Sequence, residues 1–329
     1  MDTPSKTVSG FGFAKALIFG EYAVMYGAPG LAVALSPKLT LSLSHIRQNT
    51  IPNAPSPVSA HDEIVLSHLS PPLTAHVTVD DRQFFDHCGN KFGIGSSAAR
   101  VVALTMAHAT YCRSLHPQTS KQNIGSRHTL LLDAIRAHRA LQNGLGSGID
   151  ILASALGGAI LAENCPTQPR YHRIPESNLP PFALFTLHRR APTLPFILAA
   201  QKKMNDAQAQ SLLQQFSDLS RTLTDCLLHN KKSYFLETMT HYPALLSKWA
   251  NVIEMPVLPP SFDALTAIAK NNHIQLKTAG AGGGDPLIAF APENQTNAFD
   301  AFHQEANRVC RISRLPFHIA PAHEWFDAL

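Results

Sequence analysis

The chain has 329 residues, of which 45% are hydrophobic and 15% are charged, and its formal net charge is +4. This length suffices for one large or two medium domains, and the composition excludes an intrinsically disordered protein. The basic residues are dispersed and come together only in pairs such as Arg189-Arg190, so we do not expect a nucleic-acid-binding protein.

The five cysteines lie far apart, and their odd number and the lack of a CxxC motif predict reduced thiols. None of the 17 histidines forms an HExxH motif or stands at zinc-finger spacing from a cysteine. The N-terminal MDTPSK lacks the features of a signal peptide, and the longest apolar run, residues 151–162, is too short to span a membrane. We therefore expect a soluble, cytoplasmic protein with no nucleic-acid or membrane partner. Its oligomeric state stays open, a homodimer included.

The N-terminal part of the chain is predicted to be rich in β-strands. Short apolar or alternating runs, separated by Gly and Pro, occur at residues 15–19, 31–35, 39–46 and 76–80. The proline-rich stretch 48–74 predicts an exposed excursion that contains one short helix at 62–69.

From residue 96 the pattern becomes helical. Good helix formers fill residues 97–113, and a second helix is predicted over 128–142. Farther along, we predict strands at 181–188, 286–291 and 315–320 and helices at 207–229 and 261–271. A domain boundary is placed near residue 170, which divides the chain into residues 1–170 and 171–329.

The stretch KFGIGSSAAR, residues 91–100, stands directly before the predicted helix. Backbone N–H groups and the positive end of a helix form a site for an anion. Gly93 and Gly95 allow the backbone to approach a phosphate, and Ser96 and Ser97 add hydroxyl groups. The stretch also fits the dinucleotide fingerprint G-x-G-x-x-A, but neither a clean parallel strand before it nor an acid at the expected distance supports that alternative. The sequence has no P-loop, and a plain turn into a helix remains open.

Two isolated charges stand in apolar surroundings. Lys15 lies within an apolar strand, which predicts a site that contains a negative charge, or a lysine at a strand edge that reaches solvent. Asp150 is the only acid between Asp133 and Glu163. It is either a helix N-cap or a carboxylate that orients or deprotonates a hydroxyl group.

Three stretches together carry a resemblance to a known family. They are GEYAVMYGAPGLA (20–32), GIGSSAA (93–99) and KTAGAGGGD (277–285). Their order and spacing resemble the three motifs of the GHMP kinases, the small-molecule kinases named for galactose, homoserine, mevalonate and phosphomevalonate. The resemblance spans residues 15–290. It implies an α+β fold with two domains, an N-terminal domain with a left-handed βαβ unit and a ferredoxin-like C-terminal domain, and an active site in the cleft between them.

The resemblance also implies the roles of individual residues, with ATP and Mg²⁺ as cofactors. Lys15 and Asp150 would be catalytic, the lysine as a bridge between the acceptor and the γ-phosphate and the aspartate as the group that orients it. Ser97 would bind Mg²⁺. The residues expected to bind ATP are Lys91, Gly93, Ile94, Gly95, Ser96, Ser97, Ala98, Ala279, Gly280, Ala281 and Gly282. The residues expected to bind the small-molecule substrate are Glu21, Tyr22, Arg139, Ser147, Gly148, Arg190 and Gly283.

Within the family, most details favour a phosphomevalonate kinase. VMYGAPGLAVAL resembles mevalonate kinases, but Tyr22 stands where they usually carry His, and Arg139 stands where they carry a Mg²⁺-binding Glu, eleven residues before Asp150. The stretches AHRALQNGLGSGID (137–150) and KFGIGSS, together with Asp285, resemble bacterial phosphomevalonate kinases. The implied reaction is transfer of the ATP γ-phosphoryl group to 5-phosphomevalonate, with cations such as Arg139 and Lys91 near the substrate phosphate. A mevalonate kinase and a metabolite-binding protein without catalysis are the alternatives.

Overall fold

The computed structural model describes residues 7–45, 59–71, 75–115, 126–163, 170–189, 193–283 and 285–323. The strands are β1 (Thr7–Phe19), β2 (Pro29–His45), β3 (Ala75–Asp80), β4 (Ala159–Glu163), β5 (Arg170–Ile174), β6 (Phe182–Thr186), β7 (Gln275–Thr278), β8 (Leu287–Phe290) and β9 (Ser313–Leu315). The helices are α1 (Ala60–Ser67), α2 (Ser96–Leu115), α3 (Arg127–Leu141), α4 (Ile149–Leu156), α5 (Thr193–Lys202), α6 (Ala207–Leu228), α7 (Lys232–Met239), α8 (Tyr242–Ile253), α9 (Phe262–Asn271) and α10 (Ala298–Ala306).

The first sheet is antiparallel and is built around the long pair β1 and β2. Its order is β1-β2-β4-β5, and β3 pairs with the other half of β2. The predicted strands at 31–35 and 39–46 are one continuous strand. A β-bulge joins them, since Phe13 pairs with Lys38 whereas Ala14 pairs with Leu35. The bulge takes Pro37, which has no N–H to donate, out of the hydrogen-bonded ladder.

Helix α2 packs closely on β1, and this contact positions the glycine-rich stretch that precedes the helix. A Cβ atom on Gly12 would lie 2.2 Å from the carbonyl oxygen of Ala99, so only glycine allows this approach. Helices α3 and α4 pack against each other and against α2, and α1 contacts both α2 and α3. The N-terminus of α2 and the N-terminus of α4 therefore both lie near the middle of β1.

The second sheet is also antiparallel, with the order β7-β8-β6-β9. The order of elements along the chain, β6, helices, β7, β8, α10 and β9, is that of a ferredoxin-like unit. Buried side chains of both sheets, such as Leu17 of β1 and Ile288 of β8, belong to one hydrophobic core. The expected two-sheet α+β architecture is confirmed.

The predicted strand at 315–320 is mostly wrong. Strand β9 ends at Leu315, because Pro316 cannot donate a hydrogen bond to the ladder. The following segment returns to the first sheet, where Ile319 bridges Leu35 and the N–H of Ala320 donates to the carbonyl of Ala34 at 2.9 Å.

Strand β5 still pairs with β4, so the first sheet extends to Ile174, a few residues beyond the predicted boundary at 170. The second sheet begins at Phe182. The division into two domains stays a prediction. Within the described residues, no helix is both long enough and apolar enough to cross a membrane.

Candidate active site

Lys15 and Asp150 form an ion pair in a cleft. The lysine lies in the middle of β1 and the aspartate in the first turn of α4, and Lys15 Nζ is 3.1 Å from Asp150 Oδ1. The lysine side chain is 12% exposed and the aspartate side chain 28%, so both charges remain accessible. Gly148, not Asp150, occupies the N-cap position of α4, which removes the purely structural explanation for this aspartate.

The glycine-rich stretch before α2 lies directly against the lysine. Gly93 and Gly95 have left-handed φ angles of 71° and 82°. The carbonyl of Ile94 between them accepts a hydrogen bond of 2.8 Å from the backbone N–H of Lys15, which fixes the loop to β1. A Cβ atom on Gly95 would lie 2.6 Å from Lys15 Cε.

The loop leads into the first turn of α2, where helical N–H groups have no partner within the helix. Ser96 and Ser97 begin α2, and Ser96 is half-buried whereas Ser97 is exposed. Ile94 and Ala98 are each 1% exposed, so they offer backbone groups and not side chains. This arrangement suits an anion with several oxygen atoms.

The third glycine-rich stretch follows β7 and meets the second. A Cβ atom on Gly93 would lie 2.6 Å from the carbonyl oxygen of Asp285. Between the two stretches is a small opening, which we call the loop cleft, lined by Lys15, Gly93 and residues 279–282 among others. The Cβ position of Gly280 has no atom within 4 Å, so this part of the backbone borders open space.

Asp285 anchors the third stretch to the second sheet. Its carboxylate is buried and accepts three hydrogen bonds, from Thr186 Oγ1 at 2.8 Å and from the backbone N–H groups of Leu187 and Arg189 at 2.9 Å each. Burial raises the pKa of Asp285, and the three hydrogen bonds oppose that rise. These contacts give the Asp285 carboxylate a structural role that requires no bound substrate.

A buried ion pair joins the first stretch to the third. Glu21 Oε1 accepts a hydrogen bond from Lys277 Nζ, and both side chains are essentially inaccessible to solvent. The Lys277 ammonium also lies 4.9 Å from the centre of the Tyr242 ring, and the hydroxyl of Tyr242 accepts a hydrogen bond from the N–H of Gly20. Burial lowers the pKa of Lys277, and the negative charge of Glu21 opposes that change.

Tyr22 makes a second connection between the same stretches. Its hydroxyl donates a hydrogen bond to the carbonyl of Ala281, and its ring lies 5.0 Å from that of Trp249. Its φ angle of 60° is rare for a residue with a Cβ atom. Burial raises the pKa of Tyr22, so the phenol stays protonated.

The larger opening beside the ion pair, which we call the main cleft, contains four of the predicted substrate residues. Glu21, Tyr22, Ser147 and Gly148 line it together with Lys15 and Asp150. Arg139 supports its wall from behind, because its guanidinium donates to the carbonyl oxygens of Gly146 at 2.9 Å and Ser147 at 3.4 Å.

The remaining predicted residues lie elsewhere. Lys91 is exposed, and its ammonium is 5.7 Å from the centre of the Phe85 ring, so it lines neither cleft. The N–H of Gly283 donates to the carbonyl of Val257 at 3.0 Å, which holds the end of the third stretch. Arg190 lies outside the described residues.

Sequence analysis missed two residues of α3 that line the main cleft. His138 and Gln142 are four positions apart and therefore share one face of the helix. His138 is 4% exposed, and burial lowers its pKa to about 4. The nearby Lys15 acts in the same direction, whereas Asp150 opposes it. Sequence analysis had singled out the stretch 137–150, which contains both residues. A sequence does not show, however, which face of α3 turns toward the cleft.

Helix α1, from the proline-rich stretch, is fixed beside the start of α2. Arg100 donates two hydrogen bonds to the buried Asp62, at 2.7 and 2.6 Å. Burial alone would raise the pKa of Asp62, but hydrogen bonds from His61, Arg100 and Ser59 hold it well below its usual range. His61 Nε2 lies 3.3 Å from the hydroxyl of Ser97. Sequence analysis assigned no role to α1, which forms part of the surroundings of Ser97.

No protein-family model matches the chain. The chain is 26% identical over 300 residues to the mevalonate kinase of Methanothermobacter thermautotrophicus, and the alignment covers 85% of this chain and 88% of that one. The structure of the phosphomevalonate kinase of Streptococcus pneumoniae in complex with phosphomevalonate and AMPPNP is 15% identical, with a TM-score of 0.71 over 95% of this chain and 99% of that chain. The mevalonate kinase of L. major in complex with R-mevalonate is 18% identical, with a TM-score of 0.63 over 98% and 100%. These structural likenesses establish the fold.

Proposed function

We propose that the chain is a GHMP kinase of the mevalonate pathway that transfers the γ-phosphoryl group of ATP to the primary hydroxyl group of mevalonate. The observation that carries the proposal is the ion pair of Lys15 and Asp150 beside the glycine-rich loop. A hydroxyl acceptor loses a proton during the transfer, and a carboxylate held 3.1 Å from the ammonium group is available to take it.

The charges of the main cleft favour an acceptor without a phosphate group. Among the described residues that line it, Lys15 is the only lysine or arginine. Its charge is matched by Asp150, and the charge of Glu21 is matched by Lys277. Among these described residues, a phosphate dianion would meet no cation that is not already paired, so the loss of its hydration would not be compensated by them. The sequence similarity to a mevalonate kinase supports the same acceptor.

In the proposed reaction, the backbone N–H groups of residues 93–98 bind the phosphates of ATP, and the third stretch covers them from the opposite side. Lys15 bridges the acceptor hydroxyl and the γ-phosphate. A bond forms between the hydroxyl oxygen and the γ-phosphorus, and the bond from that phosphorus to the β–γ bridging oxygen breaks, so that ADP leaves with the electron pair. The hydroxyl proton passes to the carboxylate of Asp150. Such a transfer depends on positioning and charge rather than on a covalent intermediate.

Mg²⁺ would neutralise part of the charge of the triphosphate. The described residues contain no group of three or more His, Cys, Asp or Glu side chains that could hold a metal ion. An ion that takes most of its ligands from phosphate and water, as Mg²⁺ does with nucleotides, fits such a site. The hydroxyl of Ser97, at the start of α2, would be the protein ligand.

A phosphomevalonate kinase is the second candidate, and the stretches 91–97 and 137–150 favour it. The cations that the sequence offered for a substrate phosphate are Lys91, Arg139 and Arg190. In the structure Lys91 lies beside Phe85 and Arg139 binds the loop carbonyls, while Arg190 lies outside the described residues. Because Lys91 lies away from the cleft and Arg139 binds the loop carbonyls, we place mevalonate before 5-phosphomevalonate.

The proposal is tested by measuring ADP release with ATP and Mg²⁺ in the presence of mevalonate, 5-phosphomevalonate, homoserine or galactose. We expect mevalonate to give the highest kcat/KM. A higher value with 5-phosphomevalonate would establish the second candidate instead. If none of the four compounds stimulates ADP release, the chain is a binding protein and the proposal of catalysis is wrong.

A further inference from the structure

The imidazole of His61 lies beside the start of α2, at the serine proposed above to bind Mg²⁺. His61 is the second residue of α1, and its Nε2 is 3.3 Å from the hydroxyl oxygen of Ser97. The other ring nitrogen, Nδ1, is buried and lies 3.6 Å from Oδ1 of the neighbouring Asp62. A carboxylate, an imidazole and a serine hydroxyl therefore follow one another from α1 to the first turn of α2. The proposed reaction gives this histidine no role.

The position of His61 is fixed by the ion pair next to it. Asp62 is 1% exposed, and Arg100 of α2 donates to both of its carboxylate oxygens. Ser59, the N-cap of α1, donates to Asp62 Oδ2 at 2.8 Å and accepts from the backbone N–H of Asp62 at 3.2 Å. Arg100 comes three positions after Ser97, so the two residues share one face of α2. The ion pair that holds α1 on α2 thus also brings His61 to Ser97.

The Asp62 carboxylate determines how the His61 ring can bond to Ser97. A neutral imidazole has one N–H group and one nitrogen that accepts a hydrogen bond. The partner of one ring nitrogen sets the role of the other, and the negative charge beside Nδ1 favours the form with the proton on that nitrogen. Nε2 is then an acceptor, and the hydroxyl of Ser97 donates to it. The lone pairs of the Ser97 oxygen remain for another partner.

A cation ligand at this place benefits from such an orientation. Ser97 is exposed, and an O–H group without a protein partner rotates freely. Ser97 also stands in the first turn of a helix, where the partial positive charge of the helix end opposes the binding of a cation. Donation to His61 makes the serine oxygen more negative and directs its lone pairs away from α1, which is the usual effect of a hydrogen-bond partner on a metal ligand.

We propose that His61 positions Ser97: its Nε2 accepts a hydrogen bond from the serine hydroxyl and so turns the serine oxygen toward the Mg²⁺ ion that accompanies ATP. This inference rests on the proposed function, since it concerns the nucleotide and the metal ion of the same reaction. His61 is a positioning residue in this scheme, because it acts through Ser97 and contacts neither the acceptor nor the γ-phosphate. Helix α1 thereby becomes part of the nucleotide site.

The first test measures the affinity of His61→Phe and His61→Gln for ATP by isothermal titration, once with Mg²⁺ and once with EDTA. The phenylalanine cannot accept a hydrogen bond, so we expect the Kd of Mg²⁺·ATP to rise about tenfold, while the Kd of ATP in EDTA changes little. The amide oxygen of glutamine can take the place of Nε2, so His61→Gln should restore most of the affinity. The His61 side chain is 30% exposed, so we expect the variants to fold, and His61→Leu replaces the phenylalanine variant if that one does not.

The second test asks whether the effect passes through Ser97. Ser97→Ala removes the hydroxyl group, and in this background His61→Phe should cause no further rise in the Kd of Mg²⁺·ATP. His68→Phe is the matched control. His68 caps the C-terminal end of the same helix, where its Nδ1 lies 2.9 Å from the carbonyl oxygen of Ile64. We expect this variant to bind Mg²⁺·ATP as the wild-type chain does.

The outcomes separate this inference from the proposed function. If mevalonate stimulates ADP release by the wild-type chain but His61→Phe binds Mg²⁺·ATP with unchanged affinity, the inference is overturned and the proposed function stands. Equal losses of affinity with Mg²⁺ and with EDTA, or losses that add in the double variant, also overturn the inference. If His61→Phe weakens the binding of Mg²⁺·ATP as expected and no acceptor stimulates ADP release, the inference stands and the proposed catalysis is wrong. A wild-type chain that does not bind Mg²⁺·ATP overturns both.

Discussion

The substitution Gly95→Ala should inactivate the enzyme through the position of Lys15. Gly95 has a φ angle of 82°, and alanine in this left-handed region costs about 1–2 kcal/mol of stability. The new methyl group would also lie 2.6 Å from Cε and 2.9 Å from Cγ of Lys15. Because the clash extends along the side chain, the ammonium group must leave its place 3.1 Å from Asp150. We expect kcat to fall about 10²- to 10³-fold, the loss typical of a misplaced charge at a reacting centre.

Gly89→Ala provides the matched control. Gly89 has a similar φ angle of 79°, but no atom lies within 4 Å of its Cβ position. Both variants should therefore lose a similar free energy of unfolding in urea, and only Gly95→Ala should lose turnover in the ADP-release assay. If the kcat of folded Gly95→Ala stays within about threefold of that of Gly89→Ala, the position of Lys15 does not govern the reaction and the reasoning is refuted.

Three further predictions concern ionisable side chains: the pair of Lys15 and Asp150, the pair of Lys277 and Glu21, and His138. Lys15→Met and Asp150→Asn should each lower kcat in the ADP-release assay about 10²-fold or more. Near-full turnover by both folded variants would refute the site assignment. Lys277→Met should lower the free energy of unfolding by about 3–5 kcal/mol, since it leaves the Glu21 carboxylate buried alone. The double variant with Glu21→Gln should recover much of that loss, and additive losses would contradict it. Since the pKa of His138 is lowered from 6.5 to about 4, the unfolded state binds a proton that the folded state does not, so stability should fall by up to about 3 kcal/mol as the pH drops from 6.5 to 4. His138→Asn should flatten this fall in urea titrations at several pH values, and an unchanged slope would show that another group titrates.

The sequence was sufficient to predict the fold, and it assigned Lys15 and Asp150 to one candidate site, in which the structure shows them as an ion pair. Lys15 and Asp150 could be identified because each is an isolated charge within an apolar segment, and because three glycine-rich stretches occur in a familiar order. The helices at 97–113 and 128–142 were predicted within two residues of their observed bounds, since their composition favours helix strongly.

The face of α3 that lines the main cleft could not be predicted by counting residues back from Asp150. Eleven residues before Asp150 stands Arg139, yet His138 is the residue that lines the cleft. The turn after the helix contains Asn143 and Gly144 with left-handed φ angles of 57° and 81°. A turn of this shape changes which residue of α3 lies opposite Asp150. That residue could be identified only from the packed structure.

The buried pair of Glu21 and Lys277 could not be predicted either. The two residues are 256 positions apart, and no local pattern connects them. Glu21 stands in the first motif and was therefore predicted to bind the substrate. The structure shows that its carboxylate is neutralised by Lys277, so we now propose that it holds the first and third stretches together.

The hydrogen bond from the Lys15 backbone N–H to the carbonyl of Ile94 ties the glycine-rich loop to strand β1. The strand is also paired with β2 along its length, which fixes the backbone of Lys15 and, through that hydrogen bond, the loop. The walls of the main cleft that belong neither to β1 nor to the loop include α3 and α5, and we expect adaptation to an acceptor of another size to come from these helices. An engineer who wants a kinase for a new alcohol should randomise those helices and leave β1 untouched.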